Sequence, residues 1–215
     1  MKHLTTLMIV SLALLIVPTA AHANLLVNSS FESGSDPVAD NWTMLGDDGS
    51  GNWGLGNGTE KKTGWGAETG DASTIIVGKG TWGKSGTGFA FQSVAAASNT
   101  PYAYSIWANT DGNGAGTGTY YMKLEWYNGG SLVSADTHNI NLVDGWTQYS
   151  FNVTSPSAVI SSANVIFGQT DGTCTAVSKW DDASFDTTSI PEPTSMLLLG
   201  SGLVGLVGLG RRSKK

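Results

Sequence analysis

Aromatic and polar side chains alternate along one short stretch of the sequence, TYYMKLEWYN at residues 119–128. If this stretch is an extended strand, every second side chain points to the same face. One face then carries Tyr121, Lys123, Glu125 and Tyr127. Sugar binding needs flat aromatic faces that stack on pyranose C–H surfaces, flanked by polar groups for the hydroxyls. The stretch therefore predicts a carbohydrate-binding face.

Several tryptophans are candidates for the same chemistry. Trp107 lies opposite the apolar face of its own predicted strand, so it could join the four residues across one sheet. An alternative platform in Gly-rich loops is formed by Trp53, Trp65 and Trp82. For each of these side chains a core position is the competing interpretation, because Trp and Tyr are usually well buried. Trp146 and Trp180 are predicted to be core residues outright.

Residues that could support catalysis are few. His138 is the only histidine between Asn24 and Ile190, and neither a nearby cysteine nor a metal-ligand spacing accompanies it. This pattern favours neither a catalytic triad nor a zinc site. A carboxylate pair such as Glu125 with Asp181 could imitate a glycosidase, whose two acids must lie roughly 5–10 Å apart. With sixteen acidic residues in this segment, some pair will meet that distance by chance, so the segment is predicted to be non-catalytic.

These candidates must be positioned by β-strands, because the same alternation recurs through the segment. YAYSIWAN at 102–109 and WTQYSFNV at 146–153 alternate in the same way, and Gly-Asn, Asp-Gly and Gly-Gly turns separate such runs. Many short strands with regular turns predict an all-β fold, an antiparallel β-sandwich or jelly roll. The Gly-rich stretch 46–66 is predicted to be a long irregular loop. The predicted core contains Phe31, Tyr104, Leu124, Trp126, Tyr149 and Phe151.

Composition limits the partners of this segment. Between residues 24 and 190 there are six lysines, no arginine and sixteen acidic residues, which gives a net charge of −10. Such an acidic surface disfavours nucleic acid and anionic membranes, and it suits divalent cations or neutral polymers. Cys174 is the only cysteine of the chain, so no intrachain disulfide can form.

The N-terminus has the three-part layout of a secretory signal peptide. Lys2 precedes an apolar stretch at residues 7–17, Pro18 follows it, and Ala21-His22-Ala23 offers a small-x-small cleavage site. We expect residues 1–23 to be removed, so that the mature chain begins at Asn24.

The C-terminal residues 189–215 also combine three parts. In order, they are Pro191-Glu192-Pro193, the uncharged run 194–210, and a basic cluster that includes Arg211 and Arg212. As a helix, the uncharged run would span about 25 Å, slightly less than the ~30 Å hydrocarbon core of a bilayer. A single transmembrane helix that serves as a permanent anchor is the plainest interpretation of this run.

These three parts, in this order and at the end of the chain, resemble the PEP-CTERM sorting signal of Gram-negative bacteria. The resemblance implies transient handling by exosortase, a membrane cysteine protease-transpeptidase. It also implies that the apolar run holds the chain in the inner membrane only until cleavage near Pro-Glu-Pro. The destination would then be the cell surface, the outer membrane or the extracellular matrix. Proteins with this tail are often encoded alongside exopolysaccharide systems, which implies a polysaccharide partner.

The segment 24–188 between the two ends resembles the carbohydrate-binding jelly rolls of the galactose-binding-like superfamily. The motifs that carry this resemblance are, in the family's order, Asn28-Ser29-Ser30-Phe31-Glu32, Trp42, FQSVAAASNTPYAYSIWAN, Gly145-Trp146-Thr147-Gln148-Tyr149 and Trp180-Asp181-Asp182-Ala183-Ser184-Phe185. The resemblance implies that Asn28–Glu32 belongs to the first strand. It also implies one structural calcium that ties the first strand to the last through Glu32 and Asp182, with hard oxygen ligands. Solvated or hydrogen-bonded strand-end acids are the alternative.

Three functions remain open on the sequence. The first is an exported, non-catalytic glycan-binding or matrix protein, sorted through its tail. The second is a structural surface protein without a ligand. The third is a glycan-active enzyme. Two aromatic rings lying coplanar and exposed on one face would favour the first over the second, and a cleft with two facing carboxylates is required for the third.

Overall fold

The described residues form eleven β-strands in the computed structural model. They comprise residues 23–48, 50–54, 59–76, 84–110, 119–170 and 177–188, and nearly all belong to one compact unit, Asn24–Thr188. Several predictions fall on residues outside this set, namely the signal peptide up to His22, Trp82, Cys174, and the tail with Pro191, Glu192, Pro193, Arg211 and Arg212. Within the described ranges, no helix is long and apolar enough to cross a membrane.

The strands assemble into two antiparallel sheets. They are β1 (Thr43–Asp47), β2 (Trp53–Gly54), β3 (Thr59–Thr63), β4 (Ala72–Ile76), β5 (Gly88–Ala95), β6 (Pro101–Asn109), β7 (Tyr120–Asn128), β8 (Ser131–Ile140), β9 (Thr147–Thr154), β10 (Ser162–Gln169) and β11 (Ser178–Thr187). One sheet has six strands in the order β2-β1-β5-β10-β7-β8, and the other has five in the order β3-β4-β11-β6-β9. Sequence neighbours are often separated in space, as in a jelly roll. The predicted antiparallel all-β sandwich is confirmed.

The core lies between the sheets and takes side chains from both. Phe31, Tyr104, Leu124 and Trp126 are fully buried, as predicted, and so is Trp180. Aromatic rings dominate the contacts: Tyr102 stacks on Phe185 at a centroid distance of 4.8 Å, and Phe167 stacks on Trp180 at 5.1 Å. Such pairs stabilise a core beyond the area they bury.

Three predicted core residues occupy less buried positions, all in or beside β9. Tyr149 and Phe151 are half-buried and pack against the core cluster. Their rings remain partly open because β9 is the edge strand of its sheet. Trp146 precedes β9 and is only half-buried, so the prediction that it belongs to the core is wrong. The prediction placed Trp146 inside the strand because it is aromatic, but β9 begins at Thr147.

The segment before β1 is irregular, so the prediction of a first strand at Asn28–Glu32 is wrong. Asn28 and Phe31 have left-handed backbone angles, with φ of 53° and 59°, which no extended strand permits. The Asn28 side chain holds the resulting turn by donating to the carbonyls of Ser33 and Asp40 at 3.0 and 2.9 Å. The turn nevertheless buries the Phe31 ring, whose centroid lies 4.9 Å from that of Trp42.

The Gly-rich stretch 46–66 was predicted to be one long loop, and this is wrong in part. It contains β2 and β3, and β3 pairs with β4 along its whole length. The β3 sequence, TEKKT, places a lysine at an inward position, where an apolar residue would normally indicate a strand. Lys61 is nevertheless buried, and its ammonium donates to the Gly34 carbonyl at 2.9 Å.

Candidate functional site

The outer face of the six-stranded sheet brings the four predicted sugar-binding residues of β7 beside outward residues of β10 and β5. The backbone registers create rows across the three strands, because directly opposed residues share a face. From one end to the other, these rows are Tyr121–Gly168–Phe89, Lys123–Ile166–Phe91, Glu125–Asn164–Ser93 and Tyr127–Ser162–Ala95. The prediction that the β7 residues share one face of the sheet is therefore correct in geometry.

A groove of about 290 Å³ lies over these rows. Its lining consists of Phe89, Phe91, Tyr121, Lys123, Glu125, Tyr127, Asn164 and Ile166. Apolar rings from β5 therefore form one side of the groove, and polar groups from β7 and β10 form the other. This volume lies at the lower end of the range of about 300–1,000 Å³ found for small-molecule sites.

Gly168 shapes one end of the groove. A Cβ at this position would lie 2.6 Å from the Gly88 carbonyl oxygen, 2.7 Å from the Tyr121 hydroxyl and 2.8 Å from the Phe89 Cβ. The absence of a side chain therefore lets Tyr121 and Phe89 approach each other across β10. Tyr121 is largely buried as a result, and burial followed by the Glu125 charge raises the pKa of its hydroxyl to about 12. It stays protonated at every physiological pH.

The polar side of the groove is a connected hydrogen-bond network centred on Glu125. The Lys123 ammonium donates to Glu125 Oε1 at 2.5 Å, and the Tyr127 hydroxyl donates to Oε2 at 2.7 Å. Burial by itself raises the pKa of Glu125, but hydrogen bonds from Lys123, Tyr127 and Asn164 together with the Lys123 charge outweigh it. The pKa of this carboxyl therefore lies below its usual value. The hydrogen bond to Glu125, then burial, raises the pKa of Tyr127.

The apolar side of the groove was not predicted from the sequence. Phe89 and Phe91 alternate along β5, both half-buried, with ring centroids 6.2 Å apart and planes tilted by 30°. Their outward position reverses the usual expectation, because Ala90 and Gln92 between and beside them are the buried residues. The period-2 pattern was visible in GFAFQ, but a pattern cannot say which of two faces points inward when the larger apolar residues point out.

Trp107 does not join this face. It lies on β6 of the five-stranded sheet, where its cross-strand neighbours are Asp181 and Gln148. Its strand buries Ile106 and Ala108, so Trp107, half-buried, faces outward on the opposite side of the sandwich. The prediction that Trp107 shares a sheet with the β7 residues is wrong, because the chain crosses between sheets from β5 to β6.

The other tryptophan platform is only partly within the described residues. Trp65 is 37% exposed and lies in residues 64–71, called here the covering loop. The backbone of this loop bonds to Lys179 and Asp181 on the outer face of β11, in the five-stranded sheet. The Trp65 carbonyl accepts a hydrogen bond from the buried Lys179 ammonium. Trp53 is in β2.

The sequence pair Glu125 and Asp181 is separated by the sandwich. Glu125 faces the groove on the six-stranded sheet, and Asp181 lies beneath the covering loop on the five-stranded sheet. Two acids on opposite outer faces cannot flank one glycosidic bond. His138 likewise has a packing role, since its ring stacks on Phe151 at a centroid distance of 3.8 Å.

Glu32 and Asp182, the predicted calcium ligands, both contact the end of the covering loop or the residue that follows it. Glu32 Oε1 accepts from the backbone amides of Asp71 and Ala72, each at 3.0 Å. Asp182 Oδ2 accepts from the Thr69 hydroxyl at 2.8 Å. Both carboxylates are therefore hydrogen-bonded, which is the alternative that the sequence left open beside the calcium site.

The described part of the chain shows no group of three or more His, Cys, Asp and Glu side chains that could hold a metal ion. Calcium at Glu32 and Asp182 stays a prediction.

Comparison with solved structures identifies the class of fold. Carbohydrate Binding Module-2 of Family 16 superposes with a TM-score of 0.54 at 19% identity, over 75% of this chain and 99% of that one. The CBM22-1 xylan-binding domain from Paenibacillus barcinonensis Xyn10C gives a TM-score of 0.52 at 18% identity, over 78% and 96%. The described domain therefore has the jelly-roll fold of carbohydrate-binding modules.

Part of an enzyme's chain also superposes on this fold. The enzymatically active domain of bacteriophage CBA120 tailspike protein 4 gives a TM-score of 0.57 at 14% identity, over 77% of this chain. The match spans only about a fifth of the tailspike chain, 21%. Since all three likenesses lie below 20% identity, they define a fold and leave the function to the site.

The end of the chain is identified by sequence. Residues 189–214 match the PEP-CTERM protein-sorting motif, which confirms the resemblance seen in Pro191-Glu192-Pro193 and the residues after it. No curated protein matches the sequence significantly.

Proposed function

We propose that this protein is an exported, non-catalytic surface or matrix protein that binds glycan chains in the groove of the six-stranded sheet. The observation that carries the proposal is the composition of that groove. Two outward phenylalanines face a hydrogen-bonded set of Lys123, Glu125 and Tyr127 across one concave surface. Apolar rings for the C–H faces of a sugar and polar groups for its hydroxyls are the two requirements of carbohydrate recognition.

The non-catalytic role is supported by the acids of the groove. Among the lining residues that the structure describes, Glu125 is the one carboxylate, whereas glycoside hydrolysis uses two carboxylates on either side of the scissile bond. Glu125 is also held ionised by Lys123 and Tyr127, so it is a poor proton donor near neutral pH.

The sorting motif supports export and a location at the surface or outside the cell. We propose that exosortase cleaves the tail near Pro191-Glu192-Pro193, and that the inner membrane holds the protein only until then. Prolines keep such a segment extended and accessible to a protease. Mass spectrometry of surface protein should find the residues after this motif missing, and replacement of the three residues by alanine should keep them. Intact Lys215 on mature surface protein would instead indicate a permanent anchor.

The binding proposal is tested by probing a polysaccharide array with the full chain, purified in a detergent that has no sugar headgroup. We expect retention on at least one polysaccharide and no release of reducing ends over prolonged incubation. Failure to bind any polysaccharide would refute the proposal and favour the structural surface protein. Release of reducing ends would favour the enzyme.

A further inference from the structure

We infer that the groove selects uncharged polysaccharides over uronic-acid polymers, and that Glu125 is the residue that sets this selectivity. The inference rests on the proposed glycan-binding function and adds the class of glycan and the group that chooses it. It follows from the ion pair between Lys123 and Glu125.

Among the described residues that line the groove, Lys123 is the one cationic side chain. Its ammonium forms an ion pair with Glu125, and both side chains are mostly shielded from water, at 29% and 17% exposure. A cation that already has a carboxylate at hydrogen-bond distance presents little net positive charge to a ligand. An incoming uronate would have to displace Glu125 from Lys123 or lie beside it, and like charges that lie side by side in a binding site weaken binding.

Among the described residues, no second cation lies directly across the strands from this ion pair. Across the strands, Lys123 is opposed by Ile166 and Thr137, and Glu125 by Asn164 and Ala135. The whole segment from residue 24 to residue 190 carries a net charge of −10. This field repels polyanions before they reach the groove, most strongly at low ionic strength.

Glu125 is well placed to read the hydroxyls of a neutral sugar. Tyr127 and Lys123 fix its two oxygens, so the carboxylate does not need to be ordered when a ligand binds. A carboxylate accepts hydrogen bonds from hydroxyls, and charge-assisted bonds of this kind are about twice as strong as neutral ones. The same residue therefore attracts hydroxyl donors and repels anionic sugars, which is specificity through both a favourable and an unfavourable contact.

The test compares polymers that differ only in charge. Soluble cellulose derivative, galactan and mannan are each measured beside their own C6-oxidised uronate forms, by affinity electrophoresis with the full chain in sugar-free detergent. We expect the wild-type protein to bind at least one neutral polymer and to bind its oxidised form at least about tenfold more weakly. Equal or tighter binding of the oxidised form would overturn the inference while leaving glycan binding intact. Binding to none of the polymers would overturn the proposed function itself.

Glu125→Gln is the decisive variant, because it removes the repulsive charge and frees the ammonium of Lys123. We expect the preference for the neutral polymer to fall to less than about threefold or to reverse, through gained affinity for the oxidised form. Glu60→Gln is the matched control, since Glu60 pairs with Lys62 at 3.2 Å on the other sheet. It makes the same change in net charge and should leave the preference unchanged. An equal loss of preference in both variants would show that overall charge selects the ligand, and would overturn the role of Glu125.

Discussion

Each outer face of the sandwich carries a lysine followed two residues later by an acid, but the two pairs differ in burial and in bonding partners. On β7, Lys123 and Glu125 are two residues apart, and on β11, Lys179 and Asp181 have the same spacing. The first pair lies in an open groove and its members bind each other. The second pair lies under the covering loop, with Asp181 fully buried, and each member bonds to the loop instead.

Burial beneath the covering loop, and not the spacing in the sequence, determines the partners and the pKa of each acid. Asp181 Oδ2 accepts from the backbone amides of Glu68 and Thr69 at 2.9 and 3.2 Å, and Oδ1 accepts from that of Asp182 at 2.8 Å. Burial exceeds the effect of these bonds and raises the pKa of Asp181 to about 7, whereas the pKa of Glu125 is lowered. One lysine–acid pair therefore fastens a loop, and the other is free to meet a ligand.

The largest expected effect is on stability, from truncation of the buried acid. Asp181→Ala leaves three backbone amides without their acceptor, so the free energy of unfolding should fall by about 3 kcal/mol. Glu125→Ala, at the open groove, should cost about 1 kcal/mol or less. Urea denaturation of the two variants checks this. Equal losses would contradict the distinction between the two faces.

The next largest effect is on ligand affinity, and only substitutions in the groove of the six-stranded sheet should produce it. Phe91→Ala removes one of the two outward rings of the groove and should weaken binding of the neutral polysaccharide at least about tenfold, or about 1.4 kcal/mol. Trp107→Ala, on the five-stranded sheet, should leave affinity within about twofold. Affinity electrophoresis measures both. A loss with Trp107→Ala and none with Phe91→Ala would move the site to the opposite face.

The pH dependence of stability should also differ between the two acids. Because burial raises the folded-state pKa of Asp181 to about 7, above the ordinary 3.8 of an aspartate, the native state binds more protons than the unfolded state between these values. Its contribution to stability is therefore fully present below about pH 4 and is lost as the pH rises through about 7. Asp181→Asn should flatten this decline, and Glu125→Gln should not. The measurement is the urea midpoint of each variant at several pH values in chelator. If Asp181→Asn kept the pH dependence of the wild type, the role assigned to Asp181 would be contradicted.

The smallest expected effect concerns calcium at Glu32 and Asp182, beside the covering loop. Both acids already have hydrogen-bond partners, so a bound cation should add only modest stability. A metal that binds the folded state alone raises the melting temperature by mass action. The melting temperature should fall slightly in chelator, and Asp182→Ala should abolish that sensitivity. Identical melting curves with and without chelator would show that no stabilising calcium binds at Glu32 and Asp182.

Much of the fold could be predicted because alternation of apolar residues has a direct physical cause in the pleat. The β6 and β7 patterns gave Tyr104, Leu124 and Trp126 their correct place in the core. Prediction failed where a residue type or a backbone angle departed from the usual pattern of a strand. An inward lysine concealed β3, and the left-handed angles of Asn28 and Phe31 replaced an expected strand with a turn.

The site was predicted on one strand only. Tyr121, Lys123, Glu125 and Tyr127 shared a face for reasons visible in the sequence. Phe89, Phe91 and Ile166 could not be added, because the neighbours of β7 depend on a strand order that no local pattern contains. Trp107 was misplaced for the same reason. The Lys-x-acid spacing on β7 and β11 likewise reveals nothing of the loop that covers only one of them.

The most direct test of the central claim is hydroxyl-radical footprinting of the full chain with and without the neutral polysaccharide that it binds. Aromatic side chains report their own exposure, so both faces are read in one experiment. We predict protection of Phe89, Phe91 and Tyr127 on the six-stranded sheet, with Trp107 and Trp65 on the other side unchanged. Protection of Trp107 or Trp65, with Phe89 and Phe91 unaffected, would contradict a glycan site in the groove.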